Sequence, residues 1–207
     1  MAKIKITPLN TKDTEKVIEV LFAAFEQDPL MLYFFGNEYQ NLARYVMEYL
    51  CNLAHLSNLS LWGAFIEGEL KGVALITPPV ANQNKQEAIA NLDEQLAIAV
   101  GEAVITRIEA YFQIMEAGKP KQPHFYIDIL GVMPESQGQG VGKALLEAVH
   151  KMSESSPQSC GVALDTENER NLDFYESLGY SVSTTTNLER LKVWPMFRSE
   201  TINLKVS

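Results

Sequence analysis

The stretch that decides the fold is residues 130–146, LGVMPESQGQGVGKALL. Three glycines, Gly138, Gly140 and Gly142, stand at alternate positions, and apolar residues recur at helical spacing after them. The apolar run 124–132 before them predicts a strand. Because a helix N-terminus carries partial positive charge and free N–H groups, this strand, loop and helix are typical of a site for a phosphate group.

Two well-known phosphate loops do not fit the spacing. A P-loop requires a glycine five positions before the Gly-Lys pair and Ser or Thr after it, whereas this chain has Gln137 and Ala144 there. A dinucleotide loop requires glycines at i, i+2 and i+5, and the third position falls on Lys143 or Leu145. A different phosphate-bearing ligand is therefore expected.

Composition excludes several other classes of protein. With 207 residues, 46% of them apolar, the chain is expected to form one compact domain. Seventeen basic against twenty-six acidic residues, without a dense basic cluster, argue against nucleic acid and anionic membranes as partners. The N-terminus lacks the apolar segment of a signal peptide and no apolar run approaches the ~20 residues of a membrane span, so a cytoplasmic protein is expected. Cys51 and Cys160 are too few for a disulfide framework.

The pattern along the rest of the chain predicts an α/β fold. Strands and helices alternate irregularly and include a hairpin around Gly68, which indicates a mixed, mostly antiparallel sheet of about six to seven strands flanked by helices. Residues 84–122 are mainly helical and form either one long helix or two helices broken near Gly101. Predicted strands are 3–7, 59–66, 70–77, 124–132, 161–164, 180–182 and 192–198, and the other predicted helices are 11–27, 41–53, 142–152 and 171–178.

Two blocks resemble the GNAT superfamily of N-acetyltransferases. Residues 137–142, QGQGVG, follow 130–134, LGVMP, in the register of that superfamily's coenzyme A motif. Residues 164–180, LDTENERNLDFYESLGY, resemble its closing motif. The resemblance implies a single GNAT-type domain over 1–207, with the acceptor side in 1–122 and the acetyl-CoA-binding half in 123–207. It also implies a sheet that is splayed at the strand before the glycine loop.

The resemblance also implies roles for individual residues. Asn168 and Asn171 would hydrogen-bond the coenzyme arm, although a helix cap and a solvated side chain explain them equally well. Tyr175 would donate a proton to the departing thiolate, the alternative being a half-buried core aromatic. The strand before the loop would pair with the pantetheine arm, and the loop would bind the pyrophosphate of coenzyme A; the residues concerned are Leu130, Gly131, Val132, Gln137, Gly138, Gln139, Gly140, Val141, Gly142 and Lys143.

The sequence favours direct attack of an amine on the thioester, because no Cys, His and acid combination is discernible and His150 is interpreted as a surface residue. Free N–H groups in 130–132, exposed by a bulge near Gly131, would stabilise the oxyanion. Strand alternation predicts that His124, Tyr126 and Asp128 share a polar face towards the substrate, opposite Phe125, Ile127 and Ile129. Asp128 is a candidate base or a charge that holds a cation, and equally a paired or solvated carboxylate. No metal-ligand spacing is present, so no metal is expected.

Within the superfamily, residues 124–198 most resemble puromycin N-acetyltransferase and its bacterial relatives. The resemblance is carried by 124–127, HFYI, by the glycine loop, by 167–175 and by 193–196, VWPM. It implies transfer of acetyl from acetyl-CoA to a primary amine of a small molecule in a ternary complex, the acceptor being a puromycin-like or another amino compound. A peptide or protein N-terminal acetyltransferase, a non-catalytic coenzyme A sensor and an interaction scaffold are the alternatives. The acceptor, the base, the kinetic order and the choice between monomer and homodimer stay open.

Overall fold

The structure is a computed structural model that describes residues 3–57, 59–80 and 85–200. Within these ranges the chain forms eight β-strands and seven α-helices. The strands are β1 Ile4–Pro8, β2 Ser60–Ile66, β3 Glu69–Thr77, β4 Phe125–Val132, β5 Gly161–Thr166, β6 Ser181–Val182, β7 Thr186–Leu188 and β8 Leu191–Ser199. The helices are α1 Thr14–Phe25, α2 Pro29–Phe35, α3 Tyr39–Leu56, α4 Gln86–Val100, α5 Glu102–Gly118, α6 Val141–Ser155 and α7 Leu172–Glu176.

The strands form an open sheet in the order β1-β2-β3-β4-β5-β8-β6, with β7 paired to β8. Only β4 and β5 run parallel, which confirms the predicted mixed, mostly antiparallel sheet. The sheet has eight strands instead of six to seven because β7 was not predicted. Three residues with the sequence TNL carry no apolar alternation, and β7 depends on its antiparallel partner β8.

The sheet is splayed at β4, as predicted. Strand β4 pairs with β3 up to Val132, but it pairs with β5 only from Phe125 to Ile127. From Asp128 onwards, one edge of β4 is therefore open among the described residues. The candidate site lies at this gap between β4 and β5.

A β-bulge lies at Asp128 and not near Gly131, where the sequence placed it. Leu75 pairs with Ile129 while the next residue of β3 pairs with Ile127, so Asp128 is the extra residue. The predicted alternation of β4 fails beyond this point. Tyr126 and Ile129 pack in one apolar cluster, whereas Ile127 and Leu130 pack in the other.

Two layers of helices cover the two faces of the sheet. The larger apolar cluster joins one face to helices α1, α2, α3 and α5, and the smaller one joins the opposite face to α6 and α7. His150 belongs to the second layer and is buried, contrary to the expectation of a surface residue, because its ring bonds the Tyr180 hydroxyl at 2.9 Å. No helix within the described ranges has the length and apolarity needed to cross a membrane.

Gly101 sets the boundary between α4 and α5, and Asp28 with Pro29 sets the start of α2. Gly101 has φ +82° and separates α4 from α5, so this region contains two helices and not one. Asp28 begins α2, since its Oδ1 accepts the Leu30 N–H at 2.9 Å and Pro29 occupies the first helical position. The bulky run Met31 to Phe35, ambiguous in sequence, is therefore helical.

Replacement of Gly131 by alanine is expected to destabilise the fold, because α1 packs directly on this residue of β4. An added Cβ would lie 2.9 Å from Leu21 Cδ2 and 3.1 Å from Phe25 Cε2. Overpacking of this kind costs about 1–3 kcal/mol, which urea unfolding of the variant would measure. Gly142→Ala is the matched control, since its nearest contacts would be 3.6 and 3.7 Å and its stability should not fall. Equal stability of Gly131→Ala and wild type would contradict the close packing.

Candidate active site

A cavity of about 660 Å³ opens where β4 leaves β5. Its walls come from the end of α1, the open edge of β4, the glycine loop and the segment that links β5 to α7. We call this cavity the cleft. Most of the predicted site residues line it: Leu130, Gly131, Val132, Gln137, Gly138, Gly140, Val141, Gly142, Lys143, Asn168, Asn171 and Tyr175.

The glycine loop has a backbone that side chains would disfavour. Gly138 has φ +73° and Gly140 has φ +86°, both in the left-handed region. Gly140 immediately precedes α6, and its carbonyl accepts the Ala144 N–H at 2.9 Å. The first N–H groups of α6, from Val141 to Lys143, have no acceptor inside the helix. A cleft wall with such donors at a positive helix end fits the phosphates of coenzyme A.

The two glutamines of the loop brace it through their side chains. Gln137 Nε2 donates to the Val132 carbonyl at 3.2 Å, which ties the loop to the end of β4. Gln139 Nε2 donates to the Glu135 carbonyl at 2.8 Å, and Gln139 is the one predicted loop residue outside the lining of the cleft. Their side chains therefore hold the loop in shape.

The open edge of β4 presents backbone donors to the cleft. Met133 donates its N–H to the Lys71 carbonyl at 2.9 Å, in the direction of β3. Because successive N–H groups of a strand point to opposite sides, those of Val132 and Leu130 point away from β3. These donors are available for a ligand that lies along the gap.

Asn168 and Asn171 lie side by side on the opposite wall of the cleft. Asn168 Oδ1 accepts the Arg170 N–H at 3.2 Å, so this side chain caps the turn before α7. The Asn171 side chain makes no capping bond at the start of α7. The capping interpretation thus describes Asn168, while Asn171 offers its amide to the cleft.

Tyr175 places a hydroxyl at the inner wall of the cleft. Only 7% of this residue is exposed, and its hydroxyl makes no hydrogen bond within the part of the chain that the structure describes. Its ring packs edge-on against Tyr180 at 5.9 Å between centroids, and Tyr180 is bonded to His150. Burial, then the charges of Glu167 and Asp28, raise the pKa of Tyr175, so the hydroxyl keeps its proton at neutral pH.

Asp128 lies beside the cleft and not in its lining. Its Oδ2 accepts the Thr77 hydroxyl at 2.7 Å. The carboxylate is reachable by solvent but has protein on most sides, and this desolvation raises its pKa to about 6, against the lowering effect of Thr77 and Lys119. The rings of His124 and Tyr126, expected to share a polar face with Asp128, have centroids 6.2 Å apart. Tyr126 is buried and its ring lies 4.4 Å from Lys119 Nζ.

Sequence reasoning missed two further carboxylates at the end of β5. Tyr126 donates its hydroxyl to Asp165, whose pKa burial raises to about 6. Tyr111, on α5, donates its hydroxyl to Glu167 Oε1 at 2.8 Å. Burial raises the pKa of Glu167 to about 8, because the nearby charges of Asp28 and Asp165 add to desolvation and outweigh the Tyr111 bond.

Asp128, Asp165 and Glu167 lie outside the lining of the cleft but all act by charge on Tyr126, and we call this group the acidic wall. Over residues 3–57, 59–80 and 85–200, no three His, Cys, Asp or Glu side chains are placed to hold a metal ion. The acidic wall can instead attract a cation by charge and accept protons from it near neutral pH.

An open, mixed α/β sheet that splays beside a glycine loop is the GNAT-like fold. The comparisons agree: residues 88–182 match the family model described as acetyltransferase (GNAT) domain. Residues 88–182 thus resemble a GNAT acetyltransferase domain, which agrees with the predicted resemblance and supports an acetyl-transferring enzyme.

Individual relatives resemble this chain either over part of its length or at low sequence identity. A mycothiol acetyltransferase of Propionibacterium freudenreichii is 36% identical over 70 residues, which is 33% of this chain and 22% of that protein, so the match spans about a fifth of the relative. A structure from Corynebacterium glutamicum, titled as histone acetyltransferase HPA2 and related acetyltransferase, has a TM-score of 0.72 at 21% identity and covers 99% of both chains. The polyamine N-acetyltransferase of Drosophila melanogaster has a TM-score of 0.65 at 16% identity and covers 96% of this chain and 100% of that one.

Proposed function

We propose that this protein transfers the acetyl group of acetyl-CoA to a primary amine of a small molecule, by direct attack in a ternary complex. The observation that carries this proposal is the position of Tyr175. An unbonded, protonated hydroxyl and the glycine loop line one cleft, beside the open edge of β4. A phosphate cradle and an acid are thus placed for one extended ligand.

The residues of the cleft would have different roles in this reaction. Backbone N–H groups of the glycine loop and of the first turn of α6 would hold the pyrophosphate, while Asn168 and Asn171, which line the cleft, would face the coenzyme arm. The coenzyme would supply the activated acetyl group. The N–H groups of Leu130 and Val132 would bond the arm and stabilise charge on the acetyl oxygen. Tyr175 would give its proton to the leaving sulfur.

The acidic wall favours a cationic acceptor. Asp128, Asp165 and Glu167 all belong to 123–207, the half assigned to the coenzyme, but Glu167 bonds Tyr111, which belongs to the acceptor half over 1–122. The polyamine N-acetyltransferase among the structural neighbours catalyses the formation of N-acetylagmatine. A puromycin-like amine stays the finer proposal. A peptide or protein N-terminus is the second candidate, because the resemblance to puromycin N-acetyltransferase is carried by 124–198 and not by the acceptor side over 1–122.

The experiment is a thiol-release assay with acetyl-CoA and a panel of polyamines, amino-nucleosides and peptides, beside calorimetry with coenzyme A. Release of thiol with at least one amine is expected. Coenzyme A binding without release for any amine would favour a non-catalytic sensor. Absence of both would refute the assignment of the cleft.

A further inference from the structure

We propose that Glu167 is a catalytic residue that takes a proton from the acceptor amine, and that Tyr111 is the residue that positions it. This inference rests on the acetyl transfer proposed above and deepens it. The base left open by the sequence is thereby assigned to the end of β5 and not to β4.

The position of Glu167 in the gap between the layers carries the argument. It follows β5 directly and precedes Asn168, which lines the cleft. Its carboxylate bonds Tyr111 of the α1, α2 and α5 layer. The charge of Glu167 also acts on the buried hydroxyl of Tyr175, which belongs to the α6 layer. Glu167 is outside the lining of the cleft, but it connects Asn168 of the cleft wall to Tyr111 of the other layer, and an amine approaching from that layer would meet it beside the cleft.

A base must reach the same reacting centre as the acid, and the four carboxylates Asp28, Asp128, Asp165 and Glu167 differ in this respect. The charges of Glu167 and Asp28 act on the Tyr175 hydroxyl, whereas Asp128 and Asp165 are not among the groups that act on it. Asp28 is engaged by two backbone N–H groups as the cap of α2. Glu167 is held by a single side-chain donor, the Tyr111 hydroxyl, and so keeps most of its capacity to accept a proton.

The surroundings of Glu167 set its affinity for that proton. Burial and neighbouring negative charges raise its pKa to about 8, which is well matched to proton transfer from an ammonium group near neutrality. Among residues 3–57, 59–80 and 85–200, no cation is one of the groups that act on it. The titratable groups that face it are Asp28 before α2, Tyr111 on α5, Tyr126 on β4, Asp165 on β5 and Tyr175 on α7.

The proton balance closes with these two residues. A bond forms between the amine nitrogen and the acetyl carbon, and the bond between that carbon and sulfur breaks. Two protons leave an ammonium nitrogen on its way to an amide. One passes to Glu167 and then to water, and the other restores the Tyr175 hydroxyl, whose own proton goes to the sulfur.

The test is the pH profile of kcat/KM for an amine that wild type acetylates. We expect activity to rise through about pH 8 in wild type, as the Glu167 carboxyl loses its proton. Glu167→Gln should lower kcat by about 100- to 10,000-fold and remove this acid limb, with coenzyme A affinity kept. Glu169→Gln, two residues away and exposed, is the matched control and should keep the wild-type profile.

Tyr111→Phe tests whether Tyr111 positions Glu167 or only contributes to packing. It also tests the role of Glu167 if the Glu167→Gln variant does not fold. It keeps the ring packing on Phe34 but removes the donor that stabilises the carboxylate. The acid limb should move up by about one pH unit. The infrared band of the protonated Glu167 carboxyl, followed without substrates and absent in Glu167→Gln, should move by the same amount.

The outcomes separate the two proposals. If wild type turns over and the acid limb is unchanged in Glu167→Gln or in Tyr111→Phe, Glu167 is not the base. Acetyl transfer would still stand in that case. Loss of the limb in Asp128→Asn alone would assign the base to β4 and also overturn the role of Glu167. No turnover by wild type with any amine would overturn the proposed function, and this inference with it.

Discussion

Replacement of Tyr175 by phenylalanine is expected to lower kcat for acetyl transfer by about 100- to 10,000-fold, the contribution that a positioned general acid makes. The variant loses one hydroxyl, which makes no hydrogen bond within the described residues and faces the cleft. Without it, the thiolate must leave unprotonated or take a proton from water. Steady-state kinetics with a saturating amine would measure the loss.

The fold of this variant should be intact, because the ring keeps its edge-on contact with Tyr180 and its place beside Phe174. Coenzyme A affinity, measured by calorimetry, should stay close to that of wild type. Tyr45→Phe is the matched control: it removes the same hydroxyl from a tyrosine that is 46% exposed on α3, and its kcat should not change. Full turnover by Tyr175→Phe would show that another group protonates the sulfur.

Gly140→Glu is expected to abolish measurable binding of coenzyme A. Gly140 has φ +86° and stands one residue before α6, where a phosphate would meet the positive end of the helix. A glutamate there brings a side chain into a left-handed position and a negative charge into the cradle. Calorimetric titration of the folded variant with coenzyme A measures the effect.

Gly68→Glu is the control for the backbone strain in this experiment. Gly68 has φ +88°, nearly the same conformation, but lies in the turn between β2 and β3. It should lose similar stability and keep its affinity. A protein that uses the fold only as an interaction scaffold would keep its role in Gly140→Glu, whereas an enzyme or a coenzyme sensor would not. Unchanged affinity in folded Gly140→Glu would place the phosphates elsewhere.

The parts of the structure that follow from local rules were predictable. The glycine loop, the strand before it and the helix after it are contiguous, so spacing alone specifies their order. The hairpin of β2 and β3 is likewise local, with Gly68 at its turn. The break at Gly101 was recognised as an alternative, and the structure decides it in favour of two helices.

The missed features depend on contacts between distant residues. Tyr111 and Glu167 are 56 positions apart, and Tyr126 and Asp165 are 39 apart. No periodicity links such pairs, because each belongs to an element whose own pattern is satisfied without the partner. His150 was assigned to the surface for the same reason, since its partner Tyr180 follows another strand and helix. Buried polar pairs of this type require the tertiary structure.

The extra residue in β4, Asp128, limits the deletions that this strand can tolerate. Asp128 reverses the phase of the strand, so that Gly131 meets α1 while Leu130 and Val132 meet the α6 layer. Loss of one residue between Asp128 and Gly131 would exchange the two sides and move Val132 to the place of Gly131, where an added Cβ would already lie 2.9 Å from Leu21 Cδ2. A change of one residue in the length of β4 after Asp128 would therefore disrupt its packing. The halves of β4 before and after Asp128 have opposite phases of side-chain alternation.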